Sequence, residues 1–181
     1  MALFIVNDAL IKYASQALPG MQCIFLRGLN ACVMVLALAA ATGDLRHWRG
    51  FGNRALLARA AFDAVSTLTY LTSLFHLPLG NATAINMATP LVLAVLATFA
   101  LGERVGSRRW MAIAAGFVGV LLIVQPRGEG FNAWALLCVL ATMLHALRDL
   151  LTRFVPLQIP TVLVTVSTAV SVTLLSGAFV A

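Results

Sequence analysis

The chain carries only six acidic and twelve basic residues, and several of them stand inside long apolar runs. Asp63 is the deepest acid, about eight residues and so about 12 Å into one run. It is either a protonatable or substrate-contacting carboxylate, or half of a neutralised pair with Arg59, one turn earlier at the i,i+4 spacing. Asp8 and Lys12 share that spacing near the end of the first run, and Asp149 and Arg153 repeat it near the end of another. These two pairs are candidate gates at opposite mouths of a passage, or simple interfacial charges with Lys12 and Arg153 reaching toward headgroups. Arg27 is placed to meet Asp8 from a neighbouring helix or to meet an anionic substrate group. His145 and Arg148, three apart, share a helix face. His145 is either a proton carrier or a neutral histidine bonded to backbone. Tyr70 and Asn86 offer hydrogen bonds inside runs, and Pro90 removes one from the backbone. These six (Tyr70, Asn86, Pro90, Arg27, His145 and Arg148), with Asp63 and Arg59, form the candidate substrate or coupling path.

The elements that hold these groups are membrane helices. The chain is 61% hydrophobic and 10% charged, against roughly 25% charged in a soluble domain. Its continuous Leu/Ala-rich runs approach the ~20 residues that cross a bilayer and lack the alternation of a β-barrel. The pattern predicts an all-α polytopic membrane protein of seven spans: about Met1–Tyr13, Met21–Thr42, Ala55–Phe75, Asn81–Leu101, Trp110–Gln125, Asn132–Leu151 and Thr161 to the end. Leu77-Pro78-Leu79-Gly80 makes a tight turn, and Gly102 before Glu103 and Arg104 is a helix C-cap. Glu103 is expected to act as a helix-terminal charge. The small residues of Ala37–Ala41 and Ala112–Gly119 are expected to permit close helix approach, and Cys23, Cys32 and Cys138 to serve as small packing residues.

An ionisable group facing lipid costs roughly 2.5–3.5 kcal/mol on insertion scales, so all of these groups must face the bundle or a water-filled cavity. No nucleophile–base arrangement, phosphate-binding loop or metal-ligand spacing is present in the sequence, so neither an enzyme nor a cofactor or metal is expected. The net charge of +6 resides in arginines of the inter-span loops, where it orients the chain and meets lipid headgroups rather than nucleic acid. Arg46, Arg49, Arg54, Arg104, Arg108 and Arg109 fall on one side, which places the N-terminus in the cytoplasm of an inner or plasma membrane.

One internal match organises the chain. Asp8-Ala-Leu-Ile-Lys12-Tyr13, with Pro19, returns 141 residues later as Asp149-Leu-Leu-Thr-Arg153-Phe154, with Pro160. Five spans separate the copies, and an odd number inverts the second in the bilayer, as in many secondary transporters. Residues 1–126 are therefore read as a first repeat and 131–181 as the start of a second. By the same register the first span begins about ten residues late for a full crossing and the second repeat lacks three spans, so a longer native chain is expected.

Tyr70-Leu-Thr-Ser-Leu-Phe-His-Leu77-Pro78-Leu79-Gly80, with Ala82, Ala84 and Pro90 beyond it, resembles the EamA-like branch of the drug/metabolite transporter superfamily. So do Leu101-Gly102-Glu103-Arg104-Val-Gly106 and Gly116-Phe-Val-Gly119-Val-Leu-Leu. The likeness is good over spans 1–5 and weak beyond. It implies ten spans in two inverted five-span repeats and a carrier or exporter of small metabolites. Asp8, Lys12 and Arg27 sit where some members carry equivalent charges, whereas Asp63 departs from the usual small apolar residue. The expected function is alternating-access transport of a small metabolite of unidentified structure, with proton coupling through Asp63 or His145. The alternative is a truncated or half-size protein, as a homodimer or with another partner chain, inactive alone.

Overall fold

A computed structural model describes residues 2–43, 52–102, 106–124, 133–156 and 158–179. The described residues are helical, without strands. The elements are α1 (Ala2–Ala14), α2 (Gly20–Thr42), α3 (Arg54–His76), α4 (Leu79–Asn86), α5 (Thr89–Leu101), α6 (Ser107–Val124), α7 (Ala133–Thr152) and α8 (Thr161–Ala178). Among the described residues, α2, the α4–α5 pair, α7 and α8 are long and apolar enough to cross a membrane. The all-α polytopic expectation is met.

Local chemistry sets the boundaries. Asn53 caps α3, its Oδ1 accepting from the amides of Ala55 at 2.9 Å and Leu56 at 3.3 Å, which satisfies two otherwise orphan donors. Gly43 and Gly102 end α2 and α5 in the left-handed region, with φ of 75° and 65°, where a side chain is strained. Gly102 is thus the C-cap expected of it, while Glu103 and Arg104 lie outside the described residues.

The single fourth span expected from hydropathy is two helices. A break at Met87–Ala88 separates α4 from α5, with Pro90 in the first turn of α5. Proline has no N–H, so the Asn86 carbonyl one turn earlier loses its helical donor. The Thr89 hydroxyl replaces it, donating to that carbonyl at 2.6 Å. The same physics operates at Pro78, which leaves the Leu74 carbonyl unpaired within its helix. The Lys12 ammonium donates to Leu74 O at 3.1 Å and also to Leu77 O, fastening α1 to the end of α3. Thr89→Val keeps the shape of the side chain and removes the donor. We expect it to lower stability by about 1–3 kcal/mol, read from thermal denaturation in detergent.

α3 is the central helix. It packs against α7 and α8, α2 runs along α8, and α7 also meets α4 and α5, while α1 and α6 are peripheral. Ile24, Leu71, Leu74, Leu77, Ile85 and Cys138 form the buried core. Cys23 is also buried, and all three cysteines are free thiols. The small-residue stripes pack less than expected. In Ala37–Ala41 only Ala39 is buried, and Ala112, Ala114 and Ala115 are exposed. Both stretches lie at the periphery, on α2 and α6. Gly116 is the close approach there, where an added Cβ would stand 2.6 Å from a Leu91 methyl.

Candidate substrate cavity

A cavity of ≈ 610 Å³ lies among α1, α2, α3, α4–α5, α7 and α8. Of the candidate residues, Asp8, Arg27, Asp63, Tyr70, Asn86, Pro90, His145, Arg148 and Asp149 line it. Lys12, Arg59 and Arg153 do not, nor do Leu77, Pro78 and Gly102. Asp8 and Asp149, which match at the 141-residue offset, both line the cavity. The break between α4 and α5 opens onto it, so the interrupted backbone borders a polar space rather than lipid.

At one end stands a charge cluster. Arg148 on α7 pairs with Asp63 on α3 and reaches back to Asp149, donating from Nε at 3.0 Å and from Nη2 at 2.7 Å to the same carboxylate oxygen. Asp63 is buried, only 3% exposed, so this guanidinium is what compensates its charge in an apolar setting. The Asp63–Arg59 pair expected from spacing is not made. Arg59 donates instead to the hydroxyls of Thr152 at 2.9 Å and Thr168 at 2.8 Å, tying α3 to α7 and α8. A residue one turn away on the same helix lies alongside Asp63, whereas Arg148 approaches it from the facing helix.

The Asp8–Lys12 pair is not made either. Lys12 is drawn to the carbonyls at the end of α3, a site that favours cations, and Asp8 accepts from the Tyr70 hydroxyl at 2.8 Å. Asp149 is held by Arg148, and Arg153 lies exposed beyond the end of α7. Asp8 is thus bonded to another helix rather than to Lys12, and Asp149 to its own neighbour Arg148 on α7. Arg27 senses the charges of Asp8 and Asp63 but forms no ion pair with either, so its expected partnership with Asp8 is not realised as a contact.

His145 bonds to a side chain rather than to backbone. Its Nδ1 lies 3.1 Å from Asn86 Oδ1. An amide oxygen only accepts, so Nδ1 donates and Nε2 is left as the acceptor. The Tyr70 ring faces His145 at 6.0 Å, tilted by 58°. Asn86, Tyr70 and His145 thus join α4, α3 and α7 across the cavity wall.

The sequence reading missed the hydroxyls. Thr67, Thr83, Thr165 and Thr168 line the cavity as well. Threonine barely perturbs an apolar run, so hydropathy passes over it. One signal was available for Thr168, which stands at the same 141-residue offset from Arg27.

The EamA-like transporter family matches residues 2–125. A riboflavin transporter of Rhizobium johnstonii is 37% identical over 97 residues, covering 54% of this chain and 32% of its own length. An S-adenosylmethionine uptake transporter of Rickettsia bellii is 30% identical over 151 residues, covering 81% of this chain and 50% of its own. A pseudopaline exporter of Pseudomonas aeruginosa is 25% identical over 183 residues, 98% of this chain and 64% of its own. The chain thus spans between about a third and two thirds of the length of these relatives. No solved structure matches it significantly. The match extends from α1 to the end of α6, through the proline break and the Leu77-Pro78-Leu79 turn, and on these grounds the chain belongs to the EamA-like transporter family.

Proposed function

We propose that this chain supplies the translocation path of a secondary transporter, in which a small metabolite occupies the ≈ 610 Å³ cavity and exchanges sides by alternating access. The observation that carries the reading is the cavity itself: five ionisable side chains of both signs and a histidine converge on one space inside an apolar bundle. Intramembrane charge gathered around a cavity marks a substrate or ion path. Relatives named for moving riboflavin, S-adenosylmethionine and pseudopaline support a metabolite as cargo.

The inverted-repeat arrangement is part of the same proposal. Cys32 and Thr173 are in hydrogen-bond contact at 3.3 Å and stand 141 residues apart, the spacing that relates Asp8 to Asp149. A residue that touches its own repeat equivalent lies on the axis relating the two repeats. The α2–α8 seam is then the axis about which the repeats exchange conformations. Residues 1–126 and 131–181 belong to the first and second repeats, in an inner or plasma membrane with the N-terminus cytoplasmic.

The protein at its natural length, reconstituted in liposomes, is expected to take up labelled riboflavin, S-adenosylmethionine or an amino acid saturably, and faster when preloaded with the same unlabelled solute. Tyr70→Phe should reduce that uptake by about tenfold or more, because a hydrogen bond to a charged group is worth roughly 1.5–3 kcal/mol. The same bond braces α1 against α3, so the melting temperature should fall as well, by about 3–12 °C, and uptake is compared at a temperature where both proteins are folded. Counterflow no greater than in protein-free liposomes across this panel, or Tyr70→Phe uptake equal to the parent's, overturns the proposal.

A further inference from the structure

Two arginines, Arg27 and Arg148, line the cavity, and Lys12 and Arg59 stand on helices that form it; all but Arg27 are occupied by protein partners. Lys12 holds the carbonyls of Leu74 and Leu77, Arg59 holds Thr152 and Thr168, and Arg148 holds Asp63 and Asp149. The fourth, Arg27, is half-buried and lines the cavity. Among the described residues its guanidinium makes no hydrogen bond and no ion pair. Asp8 lies opposite on α1, near enough for the two charges to interact. It receives one hydrogen bond, from Tyr70, and a carboxylate can accept about four. On the same cavity wall, Thr83 lies near the Tyr70 hydroxyl, and its buried Oγ1 makes no hydrogen bond within bonding geometry.

Opposite charges held apart inside an apolar bundle, with their hydrogen-bonding capacity unfilled, are costly unless a ligand completes them. We infer that the gap between Arg27 and Asp8 is a head-group subsite for a zwitterion, taking a carboxylate on Arg27 and an ammonium on Asp8. This rests on the transporter reading above and names its cargo class. The guanidinium fork matches a carboxylate with two parallel N–H bonds. The ammonium donates to the free lone pairs of Asp8 and to Thr83 Oγ1. An apolar substrate body then lies against Ile24, Leu71 and Val172, which line the cavity. A solute with one charge leaves either Arg27 or Asp8 unsatisfied, so the slot discriminates against it by desolvation as well as by lost contact.

The test is binding to the purified protein at its natural length in detergent, using ligand sets that share one apolar body. Phenylalanine is compared with phenethylamine and hydrocinnamate, and leucine with isoamylamine and isocaproate. The zwitterion of at least one set is expected to bind about tenfold or more tightly than its amine and its acid. Arg27→Gln should abolish the preference over the amine, Asp8→Asn the preference over the acid, and Arg27→Lys should retain part of the first. Equal binding of zwitterion and single-charge analogue, no binding by either zwitterion, or preferences unchanged in the variants overturns the inference. The parent's ligand ladder decides the matter even if a variant fails to fold. Uptake without zwitterion preference removes this inference alone, and binding without counterflow removes the transporter reading alone.

Discussion

Arg148→Gln is expected to destabilise the bundle by about 3–5 kcal/mol, the cost of leaving a buried carboxylate without its counter-charge. The carboxylate is Asp63, 3% exposed, and Arg148 links it to Asp149 across α3 and α7. Arg59 is held by Thr152 and Thr168 and makes no ion pair with Asp63 among the described residues. The effect should belong to the orphaned charge and not to lost packing. Asp63→Asn in the Arg148→Gln background should therefore recover most of the loss, since a neutral amide facing a neutral amide is cheap to bury. Thermal denaturation of the four species in detergent forms a double-mutant cycle with a coupling energy of about 2–3 kcal/mol, near the top of the range for neighbours in one network. Additive losses would mean that the Asp63–Arg148 contact contributes little. The pair also joins α3 to α7 at the cavity wall, so uptake by the double variant should stay low even where stability returns.

Much of the architecture was legible because lipid permits so few solutions. A chain this apolar has to be helical, and the observed helices start and stop within a few residues of the spans expected from their apolar runs. The same constraint gathered the site, since Asp63, Arg27, Tyr70, Asn86, His145 and Arg148 could not face lipid and all line one cavity. Partner choice was not legible. Spacing along one helix proposed Asp63 with Arg59 and Asp8 with Lys12, because i,i+4 neighbours are the pairs a sequence displays. The actual partners come from other helices, and which side chain arrives there depends on packing that has no local signature. Two of the rearrangements trace to prolines. Pro78 and Pro90 each free a carbonyl, and Lys12 and Thr89 are drawn to those carbonyls. Proline positions are visible in the sequence, so the freed carbonyls at Leu74 and Asn86 follow from it directly. The donors that meet them could be foreseen only in the case of Thr89, which sits next to its proline.

Gly28→Val should separate α2 from α8 and cost about 1–3 kcal/mol, with a larger effect on transport than on folding. A Cβ at Gly28 would stand 2.5 Å from Thr173 Oγ1 and 3.3 Å from Thr173 Cα. The hydroxyl can be removed, but the backbone can yield only if the helices part. Thr173→Ala should accordingly rescue Gly28→Ala, whose methyl then stands 3.3 Å from the Cα and Cβ of residue 173, and should fail to rescue Gly28→Val. This hierarchy tests close packing of small residues as the source of the seam's stability. The reason for a larger effect on transport is positional. Gly28 adjoins Arg27, and Thr173 touches Cys32 on the proposed axis between the repeats, so a seam that opens by a fraction of a methyl diameter shifts Arg27 relative to Asp8. Asp8 is fixed separately, by Tyr70 on α3. The two halves of the zwitterion slot thus ride on different helices, and their spacing is set by how tightly α2 lies on α8. In Gly28→Val, zwitterion affinity should fall while the weaker affinities for the amine and the acid change little. A uniform loss across all three ligands would instead indicate general unfolding of the cavity.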